Sequence, residues 1–546
     1  MIHPDAFTIS GTIADVVNNR LFKGALTVSG GRIIAIAETD TVDDQFIIPG
    51  FIDAHVHIES SMLLPSEFAR LASVHGTVAT VSDPHEIANV LGMEGVRFMI
   101  ANGAKVPFRF FFGAPSCVPA TPFESAGAVI NAEQVAELLQ MDEIFYLSEM
   151  MNFPGVLFND GEVMAKLAAA HKAGKPVDGH APGFKGEDVF KYASAGITTD
   201  HECFTIEEAI GKINAGMKIL IREGSAARNF DDLVGLLKDH ADQVMFCSDD
   251  KHPDDLVKGH INLLARRAVA LGYDPMKVLR CCSLNPVQHY GLNVGLLQVG
   301  DAADFAVVKD LQNFEVLRTY IEGIIVAADG KTNIASVVEK PLNIFNAQKI
   351  SLDDIRVPAL EKKIKVIRAF DGQLITEAII ADAKIENGYV ISDTGSDVLK
   401  MVVLNRYSHS KPAVAFVQGF GMKRGAIAST VAHDSHNIIA VGVNDDEIIR
   451  AINLLIVEKG GISLVNGNEY KILPLPVAGL MSNSDGYQVA SIYELINAAA
   501  KGLETKLITP YMTLSFMALL VIPSLKLSDK GLFDGDNFQF TELFVK

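Results

Sequence analysis

The chain has 546 residues, 49% of them hydrophobic and 21% charged, and a formal net charge of −19. That length allows several domains around a large core, and that acidity argues against nucleic acid or an anionic membrane as partner. The five cysteines, Cys117, Cys203, Cys247, Cys281 and Cys282, show no CxxC spacing and read as reduced thiols of a cytoplasmic protein.

Met1-Ile-His-Pro-Asp-Ala6 has no basic region followed by an apolar one, so no secretory signal is expected. Residues 1–50 carry β-like runs at 9–16, 25–28 and 33–37, separated by Asn18-Asn19 and Gly30-Gly31. Short runs between such turn residues predict a small antiparallel sheet. The same texture returns at 300–308 and 316–326. Residues 1–50 and 291–345 are therefore expected to form one small β-sandwich domain around an insertion.

The insertion, 51–290, alternates strand-like with helix-like segments. Strands are predicted at 51–57, 77–82, 108–113, 143–149, 176–180, 197–201, 217–222 and 243–249, with helical patterns between them at 65–75, 132–140, 163–173 and 206–215. Repeated βα units predict a parallel sheet, and eight of them fit a (β/α)8 TIM-type barrel. A doubly wound sheet is the alternative, but no GxGxxG follows any strand.

Residues 350–546 are read as an additional α/β domain. Strands are predicted at 364–369, 378–381, 413–418, 438–443 and 462–465, and an amphipathic helix at 445–458. The glycine-rich stretch 419–425 lacks the GK[ST] ending of a phosphate loop. The apolar tract 514–525 is too short to span a bilayer and contains Pro523, so it reads as a buried helix or strand.

Polar residues gather at the C-terminal ends of the predicted barrel strands, the face where barrel active sites are built. The first strand, after Pro49-Gly50, ends in His55 and His57; residues two apart on a strand share a face, so the two imidazoles can grip one divalent metal. The second strand runs into Ser82-Asp-Pro-His-Glu86, the fourth ends in Glu149, the fifth in Asp178-Gly-His180, the sixth in Asp200-His-Glu202, the seventh in Arg222 and the eighth in Ser248-Asp249-Asp250. A single Asp or Ser there is usually a helix cap; histidines on three strands with acids on two others are not explained by capping. His75, His171 and His240 fall within or at the ends of helical patterns and are taken as structural.

This pattern, with Pro49-Gly-Phe-Ile-Asp-Ala-His-Val-His57, resembles the metal-dependent amidohydrolase superfamily. Glu59-Ser-Ser-Met62, Val81-Ser-Asp-Pro-His-Glu-Ile-Ala-Asn89, Ser148-Glu-Met-Met-Asn-Phe-Pro-Gly155, Asp178-Gly-His-Ala-Pro182, Cys247-Ser-Asp-Asp250 and Ala432-His-Asp-Ser-His-Asn-Ile438 resemble the bacterial-type adenine deaminase family within it. The resemblance implies hydrolytic deamination of adenine, attacked at C6 by a hydroxide shared between two divalent ions, manganese or iron(II) favoured and zinc possible. It implies that His55 and His57 hold one ion and His180 and His201 the other. Glu149 bridges them where many relatives carry a modified lysine, since the fourth strand has no lysine. Asp249 contacts the first ion and carries the proton from water to the departing ammonia. Glu86 and His85 are the candidates to bind the substrate, with Glu86 serving a purine ring nitrogen; a plain helix start is the other reading of that stretch. His433 and His436 read as a solvated loop or a hydrogen-bonded pair, and the C-terminal domain is expected to close over or brace the barrel mouth.

Two rivals remain. Another amidohydrolase could act on a cyclic amide or an acetylated amino sugar, and a barrel without activity could scaffold partners. A cytidine-deaminase-type zinc site is excluded, since His57-Ile-Glu59 is followed by no P-C-x-x-C. A symmetric homo-oligomer, most simply a dimer, is expected.

Overall fold

The structure, a computed structural model, describes residues 6–546; Met1–Asp5, most of the stretch read for a targeting signal, lie outside the described residues. Eight parallel strands form the barrel: β1 (Phe51–Val56), β2 (Thr77–Ser82), β3 (Arg109–Ala114), β4 (Ile144–Met150), β5 (Val177–Gly179), β6 (Thr199–Asp200), β7 (Lys218–Arg222) and β8 (Val244–Cys247). β1 to β5 pair in sequence, as do β6 to β8. Parallel bridges Val177–Ile197 and Val56–Asp249 close the ring. β1 and β2 are buried at every residue, as parallel strands covered on both faces are.

β5 and β6 are shorter than the sequence predicts. Beyond Gly179 the backbone finds other partners: His180 N–H donates to the Tyr192 hydroxyl at 3.0 Å and Ala181 N–H to Asp200 Oδ1 at 2.8 Å. Side-chain acceptors thus end the ladder where the polar strand ends begin.

An eight-stranded sheet flanks the barrel, in the order Lys331–Thr332, Ile324–Ala328, Val316–Ile321, Phe305–Val308, Phe46–Pro49, Phe7–Asp15, Arg20–Ser29, Arg32–Glu38. Its two faces follow the period of two. Ile13, Ile47, Phe305 and Val307 enter the sheet's own core, while Ala14, Ile48, Ala306 and Val308 pack toward barrel residues such as Ile219 and Phe246. The expected run 316–326 is two strands, because Glu322 and Gly323 (φ 48° and 73°) make a two-residue hairpin turn. In the expected run 300–308 only Phe305–Val308 forms a strand; Asp301 and Asp304 instead accept backbone N–H groups of Leu296, Gln298 and Glu322.

The C-terminal region carries a nine-stranded sheet in which Leu399–Leu404 pairs with both Ala413–Gln418 and Ile438–Gly442. One face, with Val402, Ala428 and Ala440, packs on Ile448, Ile452 and Leu455 of the helix Asp445–Glu458. The other, with Met401, Val403, Ile427, Ile439 and Val441, joins the same core as Ile52, Val56 and Val81 of the barrel. That shared core sets the loop between Ala426–Ser429 and Ile438–Gly442 at the barrel mouth.

In the glycine-rich stretch, Gly419 and Gly421 N–H donate to Asp397 at 2.9 and 2.7 Å, so those amides are committed to a carboxylate. The tract 514–525 is the end of the helix Pro510–Phe516, a turn and the first residue of the strand Leu525–Ser528. Among the described residues no helix is long and apolar enough to cross a membrane.

Candidate metal and substrate site

Barrel closure brings the ends of β1 and β8 together. Asp249 N–H donates to the His55 carbonyl at 2.9 Å and His57 N–H to the Asp249 carbonyl at 3.2 Å. Asp249 adopts φ 56°, a left-handed conformation that Asp tolerates better than most residues. Behind this seam Asp53 accepts Ser248 N–H at 2.9 Å and meets His260 Nε2 at 2.8 Å, which fixes β8 against β1.

His55 Nε2 and His57 Nε2 face each other at 3.2 Å, and Asp249 Oδ1 lies 3.7 and 3.2 Å from them. The His57 Nδ1–H donates to the Asp83 carbonyl at 3.2 Å, which turns its Nε2 toward the site. Glu149, at the end of β4, stands between two groups: Oε1 is 3.4 Å from His57 Nε2, while Oε2 is 2.9 Å from His180 Nδ1 and 3.2 Å from His201 Nε2. All these groups are buried.

Burial, with His201 and His57 nearby, pushes His55 down to about 3, so its imidazole is neutral, the form that binds a metal. Burial would raise Glu149, but hydrogen bonds from His180 and His201 hold it well below the usual carboxylate range. Asp249 is likewise opposed by burial and held low by Arg222 and His57. The nitrogen and oxygen atoms of His55, His57 and Asp249, and those of His55, Glu149 and His201, lie within 4.8 Å of one another. Imidazole and carboxylate donors so gathered fit divalent transition metals.

Two residues that sequence reasoning left without a role belong here. Arg222, at the end of β7, donates to Glu202 at 2.6 and 2.8 Å and to Asp249 Oδ2 at 2.5 Å. Glu202 also lies 3.4 Å from His201 Nε2, and its oxygen gathers with His180 and His201 as a group that could hold an ion, while the guanidinium matches its charge. Both stand at strand ends, the only signal the sequence held.

His85 and Glu86 begin the helix His85–Leu91, so the stretch is a helix start and part of the cavity at once. Asp83 accepts His85 N–H at 3.1 Å and meets His85 Nδ1 at 3.0 Å, and Glu59 accepts Ile87 N–H at 3.1 Å; the exposed donors of that helix end are thereby satisfied. His85 Nε2 then faces Glu86 at 3.4 Å. Glu86 itself is held by His433 Nδ1 and His436 Nε2. The expectation of a solvated loop at His433 and His436 is thus corrected: both are buried, and they bond across to the barrel rather than to each other. Burial opposes charge on His433, but Glu86 lifts it to about 9, whereas burial takes His436 down to about 4.

These groups line one cavity at the barrel mouth. His57, Glu149, His180, His201, Arg222 and Asp249 line one side, with His85 and Glu86 beside them; Leu374, Asp434, Phe516, Leu519 and Val521 line the other.

Residues 46–326 match the amidohydrolase family, and residues 373–539 match the adenine deaminase C-terminal domain. The chain is 54% identical to an adenine deaminase of Methanosarcina barkeri, over 98% of this chain and 99% of that one. It is 53% identical to an adenine deaminase of Salinibacter ruber, over 99% and 100% of the two chains, and 47% identical to one of Borreliella burgdorferi, over 98% and 100%.

Proposed function

The chain belongs to the adenine deaminase family of the metal-dependent amidohydrolases, and we propose from that premise how its residues convert adenine to hypoxanthine and ammonia. Two divalent ions, manganese or iron(II) favoured and zinc possible, would be held by His55, His57, His180 and His201 together with Glu149. The observation that carries this reading is Glu149 itself, with one oxygen facing His57 and the other facing His180 and His201. Such ions, when bound, supply water of lowered pKa at neutral pH and stabilise charge developing at the attacked carbon.

Asp249 takes up the water proton and delivers it to the departing amine. Arg222 and His57 keep Asp249 ionised and so ready to accept. Its Oδ1 faces the two histidines while Oδ2 is fixed by Arg222, which limits the carboxylate to one working oxygen. Glu86 and His85 bind the purine ring. Burial opposes charge on Glu86, but His433, His436 and His85 hold it well below the usual carboxylate range, and His85 is held well above its ordinary value by Asp83 and Glu86 although burial opposes it; His85 therefore carries the proton offered to a ring nitrogen next to the attacked carbon, with the Glu86 carboxylate beside it. Leu374 and Phe516 flank the flat ring.

Five buried, unpaired cysteines support a cytoplasmic protein, and a symmetric dimer is the simplest assembly, checked by light scattering. Manganese-loaded protein added to adenine should shift the ultraviolet spectrum to that of hypoxanthine and release one ammonia per base. An untouched adenine with hydrolysis of a hydantoin or an acetylated amino sugar would refute the substrate.

A further inference from the structure

Asp434 differs from every other carboxylate lining the cavity. Glu86 is held by His433 and His436, Glu149 by His180, Glu202 and Asp249 by Arg222, and Asp250 by Ser60 Oγ at 2.5 Å. Among the described residues Asp434 has no hydrogen-bond partner. Its Oδ1 stays 3.9 Å from His85 Nε2 and from His433 Nδ1, and its Oδ2 is fully buried without a partner.

The loop that carries it is fixed on both sides. His433 N–H donates to Ser515 Oγ at 3.2 Å, His436 N–H to the Ala432 carbonyl at 2.7 Å, the Tyr407 hydroxyl to the Ser435 carbonyl at 2.6 Å, and Asn437 Nδ2 to the Ser125 carbonyl at 2.9 Å. A buried carboxylate oxygen with no donor is costly. A loop that keeps Asp434 on the cavity that Leu374, Phe516, Leu519 and Val521 also line is suited to a donor that arrives with the ligand.

We propose that Asp434 accepts the imidazole-ring N–H of the bound purine and is the residue that separates the free base from N9-substituted purines. The inference rests on the reading of the substrate as adenine. A free purine carries one N–H on its five-membered ring, at N7 or N9. A substituent on N9 removes both possibilities, leaves Asp434 unpaired and sets an alkyl or sugar carbon against it. Sites that hydrogen-bond a substrate N–H reject analogues lacking it far more strongly than apolar pockets reject added bulk.

The test is steady-state kinetics of the metal-loaded enzyme with adenine and 9-methyladenine, for wild type, Asp434→Ala and the near-isosteric Asp434→Asn, with metal content measured alongside. Where 9-methyladenine is not turned over, its inhibition constant against adenine is read instead. In Asp434→Ala, kcat/KM for adenine should fall about 10- to 100-fold, mostly through KM. Metal content should hold, and 9-methyladenine should be turned over or bound as well as in wild type or better. Asp434→Asn should lie between the two. Equal losses for both compounds, or unchanged discrimination in a variant with full metal, would overturn the assignment. A wild type inert toward adenine would instead overturn the reaction on which it rests.

Discussion

On one side of the cavity His57, Glu149, His180, His201 and Asp249 stand at the ends of barrel strands, and each meets another polar group within 3.5 Å. On the other side Leu374, Phe516, Leu519 and Val521 offer apolar surface, broken by His433 and Asp434. The first wall is set by backbone pairing, as where Asp249 N–H donates to the His55 carbonyl and the Asp249 carbonyl accepts His57 N–H across the closing seam. The second is set by one core that the C-terminal sheet shares with the barrel. Chemistry that needs atoms fixed to fractions of an ångström is placed on strands, and selection among flat rings is left to a wall that can vary without disturbing them. Glu86 joins the walls, since it leaves the barrel and is held by His433 and His436.

The largest effect is expected where the barrel wall is broken. Glu149→Ala should lose bound metal and lower turnover by more than about a thousandfold, checked by metal analysis and hypoxanthine formation. Asp249→Asn should keep most of its metal and lose about two to four orders of magnitude in kcat, whereas Asp250→Asn, altering the neighbour held by Ser60, should cost far less. A crippled Asp250 variant beside an active Asp249 variant would move the proton carrier by one position.

Glu86→Gln tests the joint between the walls. It removes the charge that His433 and His436 share, so kcat should fall about a hundredfold while metal stays bound. The C-terminal region should also become easier to cleave in limited proteolysis, since two buried histidines lose their partner. Full activity with unchanged protease resistance would sink the claim that this contact matters.

The barrel side was legible because strand geometry is local: His55 and His57 two apart, and Glu149, His180, His201 and Asp249 each closing an apolar run. Arg222 and Glu202 stood at the same ends, but nothing local says that one guanidinium spans two carboxylates on different strands. The C-terminal wall was legible only as a polar cluster, His433-Asp-Ser-His436, in apolar surroundings. That it meets Glu86, nearly 350 residues earlier in the chain, is a product of sheet-on-barrel packing. So is the apolar wall, where Leu374 and Phe516 come from separate segments that no periodicity connects.

The smallest effect concerns how that wall is held. Lys526 is buried, and its Nζ donates to the carbonyls of Leu374 and Phe516 at 2.6 and 3.0 Å. Burial lowers it from 10.5 to about 7. Below pH 7 the lysine is charged in both folded and unfolded states, and the cost of burying that charge is fully present. Between about 7 and 10.5 the unfolded chain binds a proton that the folded one does not, so stability rises with pH. Relative to Lys526→Met, wild type should therefore gain Tm, by about 1–3 °C, as pH goes from 7 to 9. A gap independent of pH would mean that the amine stays charged in the fold.

The account stands most directly on Glu149 joining two ions. Metal-free protein should be titrated with manganese from zero to three equivalents per chain while adenine deamination is followed. Activity should rise until two equivalents are bound and then level, and Glu149→Ala should bind neither tightly. Full activity at one equivalent, or in Glu149→Ala, would contradict a bridged pair.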